Sequence, residues 1–238
     1  TGSAQHREML DGVLHAFSIT PDHDLNIMRH CQTLQSITSV ILEQLPPVLE
    51  QERPDMVLVH GDTTTPFASA LCAFYLQIPI AHVEAGLRTY HRYSPFPEEI
   101  NRQLVSRLST LHFAPTQTSA QNLLNEGICE KDIFVTGNTA IDALRLTENG
   151  QYHHEALDWA GGHRILLLTA HRRENQNGGL EHIFHAVLTL CERHPDIRVI
   201  FPCHRNPMIR SLAHEMLDGC DQIRIIEPLE VYDFHNII

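Results

Sequence analysis

A chain of 238 residues, 42% of them hydrophobic, can bury the core of one large domain or of two smaller ones. Its formal net charge of −12 argues against broad nucleic-acid binding, and no apolar run approaches the roughly 18–20 residues that cross a bilayer. The six cysteines, at 31, 72, 129, 191, 203 and 220, show neither CxxC nor metal-type spacing, and read as free thiols in a reducing cytosol.

In chain order, residues 7–17 place Met9, Leu10, Val13, Leu14 and Phe17 on one face of a helix. "MVLVHGD" reads as a buried strand. "TPFASALCAFYLQ" reads as a helix with Phe67, Leu71 and Phe74 inward, capped by Thr65 with Pro66 at its first position. Then follow a strand in "IAHVEAG", a helix from Pro97, a strand in "LHFAP", a helix near 118–126 closed by Gly127, and a strand in "DIFVTGN". The polar stretch 148–163 interrupts this rhythm and is expected to link. After it come strand "RILLLTAHRR", helix "GLEHIFHAVLTLCERH", strand "IRVIFPCH", helix "MIRSLAHEMLDG" and strand "QIRIIEPL".

Buried runs alternating with helices predict parallel βαβ units. Two such series predict an α/β protein of two doubly wound, Rossmann-like domains facing across a cleft, over 1–147 and 164–238. The first readable element is a helix, and "YDFHNII" stops inside an apolar element. The chain is therefore expected to be truncated at both ends.

Asp62 and Glu84 each end a buried strand, and their separation of 22 positions fits one strand–helix–strand crossover. That connection puts both acids at the carboxyl edge of the sheet, where open parallel sheets bind ligands. In "YSPFPEEINR", Pro97 and the two glutamates suit a helix start. The apolar stripe of that helix reads as Ile100, Leu104, Leu108 and Leu111, leaving Glu98 and Arg102, one turn apart, free to face a cleft. Glu99 has no role beyond helix-start electrostatics. A lone aspartate at a strand end more often caps or turns than catalyses. Three acids at matching places, near Arg88, Arg92 and Arg102, are less easily dismissed, because close carboxyl groups do not all ionise together and can divide acid and base work.

In the second half, His171, Arg172 and Arg173 end a strand before a glycine-rich turn, a natural pyrophosphate site, although Arg172 and Glu174 would also suit a surface ion pair. His204 ends the next strand in "PCHRNP", where a turn role competes. There is no GxGxxG, P-loop or HExxH, so dinucleotide, ATP and zinc readings lack their motifs.

The segments "QHREML", "VLVHGDTTT", "HVEAGLRT", "SPFPEEINR", "TGNTAIDAL" and "TAHRREN" together resemble the bacterial non-hydrolysing UDP-N-acetylglucosamine 2-epimerases. The resemblance implies a glycosyltransferase-B-like fold, a cytoplasmic homodimer, no metal or redox cofactor, and no nucleic-acid or membrane partner. It implies interconversion of UDP-N-acetylglucosamine and UDP-N-acetylmannosamine through elimination of UDP to a 2-acetamidoglucal and re-addition, supplying surface polysaccharides. By motif, Asp62, Glu84 and Glu98 resemble the acid–base residues, without assignment of which serves which face. His171 and Arg102 resemble residues that hold the nucleotide as UDP departs, Arg88 is expected beside them, and Phe234 is similar to a uracil-binding position that acts through its backbone. Gln5, His6, Arg172 and His204 resemble residues of a second, allosteric UDP-N-acetylglucosamine site. The family's Gly-Thr-Arg-Pro-Glu and Ser-Gly-Gly segments have no counterpart, so the isolated chain is expected to be weakly active or inactive. A hydrolysing relative, a diamino-uronic-acid epimerase, an inactive UDP-sugar-binding fragment and, less so, a glycosyltransferase remain alternatives.

Overall fold

A computed structural model describes residues 7–29, 32–170 and 179–238. The chain divides into two compact units, Thr1–Arg145 and Leu146–Ile238.

The first unit opens with α1 (Arg7–Ala16) and α2 (Leu34–Glu52). The sequence reading missed α2, because Pro46 and Pro47 sit inside it and look like a break. A capping box between Thr33 and Ser36 starts this helix, and Ile41 seals it on Ala68. Then strands β1 (Val57–His60), β2 (Ile80–Val83), β3 (Leu111–Ala114) and β4 (Ile133–Val135) form a parallel sheet in that order. They are connected by α3 (Thr64–Tyr75), α4 (Glu98–Leu108) and α5 (Gln117–Asn125), and α6 (Thr139–Thr147) follows. Such crossovers carry every strand's carboxyl end to one edge.

Two expectations about helix faces are corrected. On α3, which starts at Thr64 behind Thr63, the buried residues are Pro66, Ala68, Ala70, Cys72 and Ala73, while Phe74 is exposed. Small side chains let the helix lie close to Val59 and Ile80 in the core. On α4 the buried positions are Glu99, Asn101, Arg102, Val105 and Ser106, and Leu104 is 42% exposed. The inward face of this helix is largely polar.

After β2 the chain turns sharply. Gly86 has φ +84°, and a Cβ there would lie 2.2 Å from the carbonyl oxygen of Ser119 in α5. Only glycine allows this approach.

The second unit is a parallel sheet of β5 (Arg164–Leu167), β6 (Ile197–Pro202) and β7 (Ile223–Ile226), with α7 (Glu155–Ala160), α8 (Gly179–Arg193), α9 (Pro207–Leu217) and α10 (Val231–Ile237). Strand β6 is covered on both faces. Phe201 packs edge-on to Phe184 of α8, with ring centroids 5.6 Å apart, and against Ile209 of α9. Ile200 packs with Ala156 of α7 and Ile237 of α10. Residues 155–160 of the expected linker thus form a helix that belongs to this core. Two small buried alanines, rather than a conspicuous apolar stripe, attach it.

Candidate active site

The pairing of β1 with β2 sets His60 opposite Val83, and the Gly61 N–H donates to the Val83 carbonyl at 3.0 Å. Asp62 and Glu84 therefore leave neighbouring strands side by side, as the crossover spacing predicts. Glu84 adopts φ +66°, and a Cβ on Gly61 would lie 3.7 Å from Glu84 Oε2. His60 Nε2 approaches the same oxygen at 3.7 Å and lies 3.3 Å from Thr139 Oγ1.

The Asp62 turn is held from several sides. His82 Nε2 lies 2.9 Å from the Gly61 carbonyl oxygen, which can only accept, so that nitrogen carries the proton. Asn101 Nδ2 donates to the Asp62 carbonyl at 2.9 Å. Arg102 Nη1 donates to Asp62 Oδ2 at 2.6 Å, and Arg102 Nη2 to Glu99 Oε2 at 2.7 Å. Glu99, fully buried, also accepts from the backbone N–H groups of Thr89 and Tyr90 at 3.0 and 3.1 Å and from Gln103 Nε2 at 2.9 Å.

These contacts set the charges. Burial alone would raise the Glu99 pKa, but the hydrogen bonds from Arg102, Thr89, Gln103 and Tyr90 outweigh it and hold the carboxyl down at about 2. Burial likewise opposes the Arg102 charge, and Glu99 and Asp62 more than reverse it, so its pKa lies above the ordinary value. His82 is the opposite case. Burial lowers it to about 4 against the modest help of the Gly61 bond, with His112, Arg88 and His60 adding repulsion. It is neutral near pH 7, a donor to Gly61 rather than a cation.

Among the sequence-predicted residues, Asp62 and Arg102 are joined directly, Glu84 stands on the adjoining strand end, and Glu98 is half-buried at the first position of α4, one turn before Arg102. Arg102 is not an open phosphate clamp: its terminal nitrogens are engaged by two carboxylates and it is buried. Arg88 is also corrected as a nucleotide ligand. Its side chain is fully buried and grips Glu126 with Nε and Nη2 at 2.7 and 2.9 Å, while Nη2 also donates to Ser106 and Nη1 to the Leu87 carbonyl. It braces the loop after β2 against α5. Arg92 is exposed. Glu99, Asn101 and His82 were missed. An inward-facing histidine in "HVEAG" was a usable signal for His82, whereas nothing in the doubled glutamate distinguishes Glu99.

In the second unit a cavity of about 450 Å³ opens beside the ends of β6 and β7, lined by residues that include Cys203, Arg210, Arg224, Glu227, Glu230 and Asp233. The Phe234 N–H donates within α10 to the Glu230 carbonyl at 2.9 Å, and the Phe234 carbonyl accepts from the Ile238 N–H at 3.2 Å. His204 is exposed, and its Nδ1 accepts from the Asn206 N–H at 3.0 Å, a turn-closing contact. Gln5, His6, His171, Arg172 and Arg173 lie outside the described residues. Among the described residues no group of His, Cys, Asp and Glu is placed to hold a metal ion.

A family model described as UDP-N-acetylglucosamine 2-epimerase matches residues 1–238. A Bacillus subtilis (strain 168) protein named UDP-N-acetylglucosamine 2-epimerase is 53% identical over 236 residues, covering 99% of this chain and 62% of that protein. Among solved structures, the S. aureus MnaA–UDP co-structure has a TM-score of 0.90 at 53% identity, covering 99% of this chain and 62% of its own. The Neisseria meningitidis UDP-GlcNAc 2-epimerase bound to UDP-GlcNAc has a TM-score of 0.86 at 46% identity, covering 98% and 65%. The α/β class expected from the sequence is borne out. The chain spans slightly less than two thirds of the length of these relatives.

Proposed function

The chain belongs to the UDP-N-acetylglucosamine 2-epimerase family, and from that premise we propose that the protein carrying it interconverts UDP-N-acetylglucosamine and UDP-N-acetylmannosamine, for surface polysaccharide precursors. The observation that carries the reading is the pair of carboxylates on adjoining strand ends, Asp62 and Glu84, the first held by a buried arginine. The C2 proton of the sugar is not acidic enough for simple removal, since its neighbour is no ketone. A carboxylate takes that proton while the C–H electrons form the C1–C2 double bond. The C1–O bond breaks toward UDP, giving 2-acetamidoglucal. Re-addition reverses these bonds with the proton delivered to the other face, which calls for more than one carboxyl group. Asp62, Glu84 and Glu98 supply three, and anions near C1 stabilise oxocarbenium character there.

The cavity beside β6 and β7 suits the nucleotide, since its size lies in the range of small-molecule sites and it opens at the carboxyl ends of parallel strands. His171 is the proposed cation for the departing phosphate. Gln5, His6, Arg172 and His204 are proposed for a regulatory sugar-nucleotide site, and family resemblance supports a cytoplasmic homodimer. No described helix is long and apolar enough to cross a membrane.

The test is proton NMR of UDP-N-acetylglucosamine in deuterated water with the natural protein that carries this sequence, beside the 238-residue chain. UDP-N-acetylmannosamine labelled at C2 is expected. Free N-acetylmannosamine would instead favour a hydrolysing enzyme, and unlabelled, unconverted substrate from the natural protein would overturn the assignment.

A further inference from the structure

Glu99 is absent from the proton chemistry above, yet it is among the most heavily hydrogen-bonded side chains of the first unit. It accepts from two backbone N–H groups, Gln103 and Arg102, and has no exposure to solvent. A substrate cannot reach it. Asp62, sharing the same guanidinium, keeps a quarter of its side chain exposed. One arginine thus has a sealed carboxylate on one side and an accessible one on the other.

We propose that Glu99 is a positioning residue that serves as the standing counterion of Arg102, so that Asp62 can gain and lose a proton without leaving a buried cation unpaired. The inference rests on the reading of Asp62 as a proton-carrying acid. If Asp62 alone balanced Arg102, protonating it would strand a buried guanidinium, which is strongly disfavoured, and Asp62 would be locked as a carboxylate. With Glu99 in place the guanidinium is neutralised in either state. Glu99 also fixes where Arg102 points, because the Thr89 and Tyr90 N–H groups hold its carboxylate from the loop after β2. The remaining titratable groups around Asp62 are Glu84 and His60 at the strand ends, Glu98 on α4, and His82, which touches the preceding carbonyl. None of them contacts Arg102 in the way Glu99 does.

The test substitutes Glu99→Gln in the natural protein and follows two readouts. One is titration of the Asp62 side-chain carboxyl carbon by NMR, assigned by its loss in Asp62→Asn, which needs no turnover. The other is the pH dependence of deuterium exchange at C2. The account expects Asp62 to titrate about one pH unit lower in Glu99→Gln, because a full guanidinium charge then falls on it alone, and exchange to slow about tenfold. Glu99→Asp, which keeps the charge, should return the titration toward the wild-type midpoint.

An Asp62 midpoint unchanged in folded Glu99→Gln, or displaced equally in Glu99→Asp, overturns the proposal. Should Glu99→Gln not fold, Glu99→Gln combined with Arg102→Gln removes both buried charges, and with no unpaired cation beside it Asp62 must titrate no lower than in wild type. A lower midpoint there overturns the proposal as well. Absence of C2 exchange in the wild-type protein counts against the epimerase reading, while the Asp62 titration still decides the role of Glu99.

Discussion

At the carboxyl edge of β1 and β2 the Arg102–Glu99 pair is buried in a network of hydrogen bonds, whereas beside β6 and β7 the ion pairs are partly open to solvent and simpler. Arg102 and Glu99 have side-chain exposures of 7% and 0%, against 34% and 74% for both Arg210–Glu227 and Arg224–Glu155. In the first unit, the desolvation of a charged triad is offset only because nearly every terminal oxygen and nitrogen has a partner. Such a network keeps Asp62 in one place. In the second unit each pair is partly open to solvent, so its side chains can reorient around an entering ligand at lower cost. A rigid edge suits proton transfer, where small displacements matter. A loosely paired edge suits accommodation of a nucleotide.

The contrast can be broken most forcefully at Arg102. Replacing it by Met leaves Glu99 buried without its cation, and a loss of about 3–5 kcal/mol in urea-unfolding stability is expected. A loss below about 1 kcal/mol would mean that the first edge is no more rigid than the second.

Acid should separate the edges next. Unfolded, His82 takes up a proton near its ordinary 6.5, and folded only near 4, so acidification through that window favours the unfolded chain by roughly 3 kcal/mol. Glu99 acts in the window below. Its folded value of about 2 lies under the ordinary 4.5, so its contribution is complete above 4.5 and is lost as the pH falls toward 2. Denaturant midpoints measured from pH 7 to 4 should therefore decline in wild type and decline much less in His82→Gln. Equal slopes would remove His82 from the account. The smallest effect is expected at the exposed edge: Arg210→Ala should change stability by less than about 1 kcal/mol, and a larger change in urea unfolding would show that this pair is structural.

The strand ends were legible in the sequence, because buried parallel strands leave continuous apolar runs and the crossover from Asp62 to Glu84 has few solutions. The facing of α4 was not. Counting apolar positions selects Leu104, while the protein buries Arg102 and Asn101, whose partners at Asp62 lie some 40 residues earlier in the chain. The job of Arg88 was hidden for the same reason, since Glu126 is 38 residues away. Alanines concealed two further contacts. Ala156 and Ala160 attach a helix inside an apparent linker, and the small residues of α3 turn Phe74 outward. Periodicity registers large apolar side chains, and this molecule places small or hydrogen-bonded polar ones where its elements come closest.

The most direct test of the central claim, that carboxylates at the edge of the first sheet move the C2 proton, is the initial rate of C2 deuterium incorporation in Asp62→Asn, Glu84→Gln and Glu98→Gln. Each is measured in the natural protein after unfolding curves have shown it folded. The account predicts that exchange falls at least about 100-fold in Asp62→Asn and in one or more of the glutamate variants. Wild-type exchange rates in all three folded variants would contradict it.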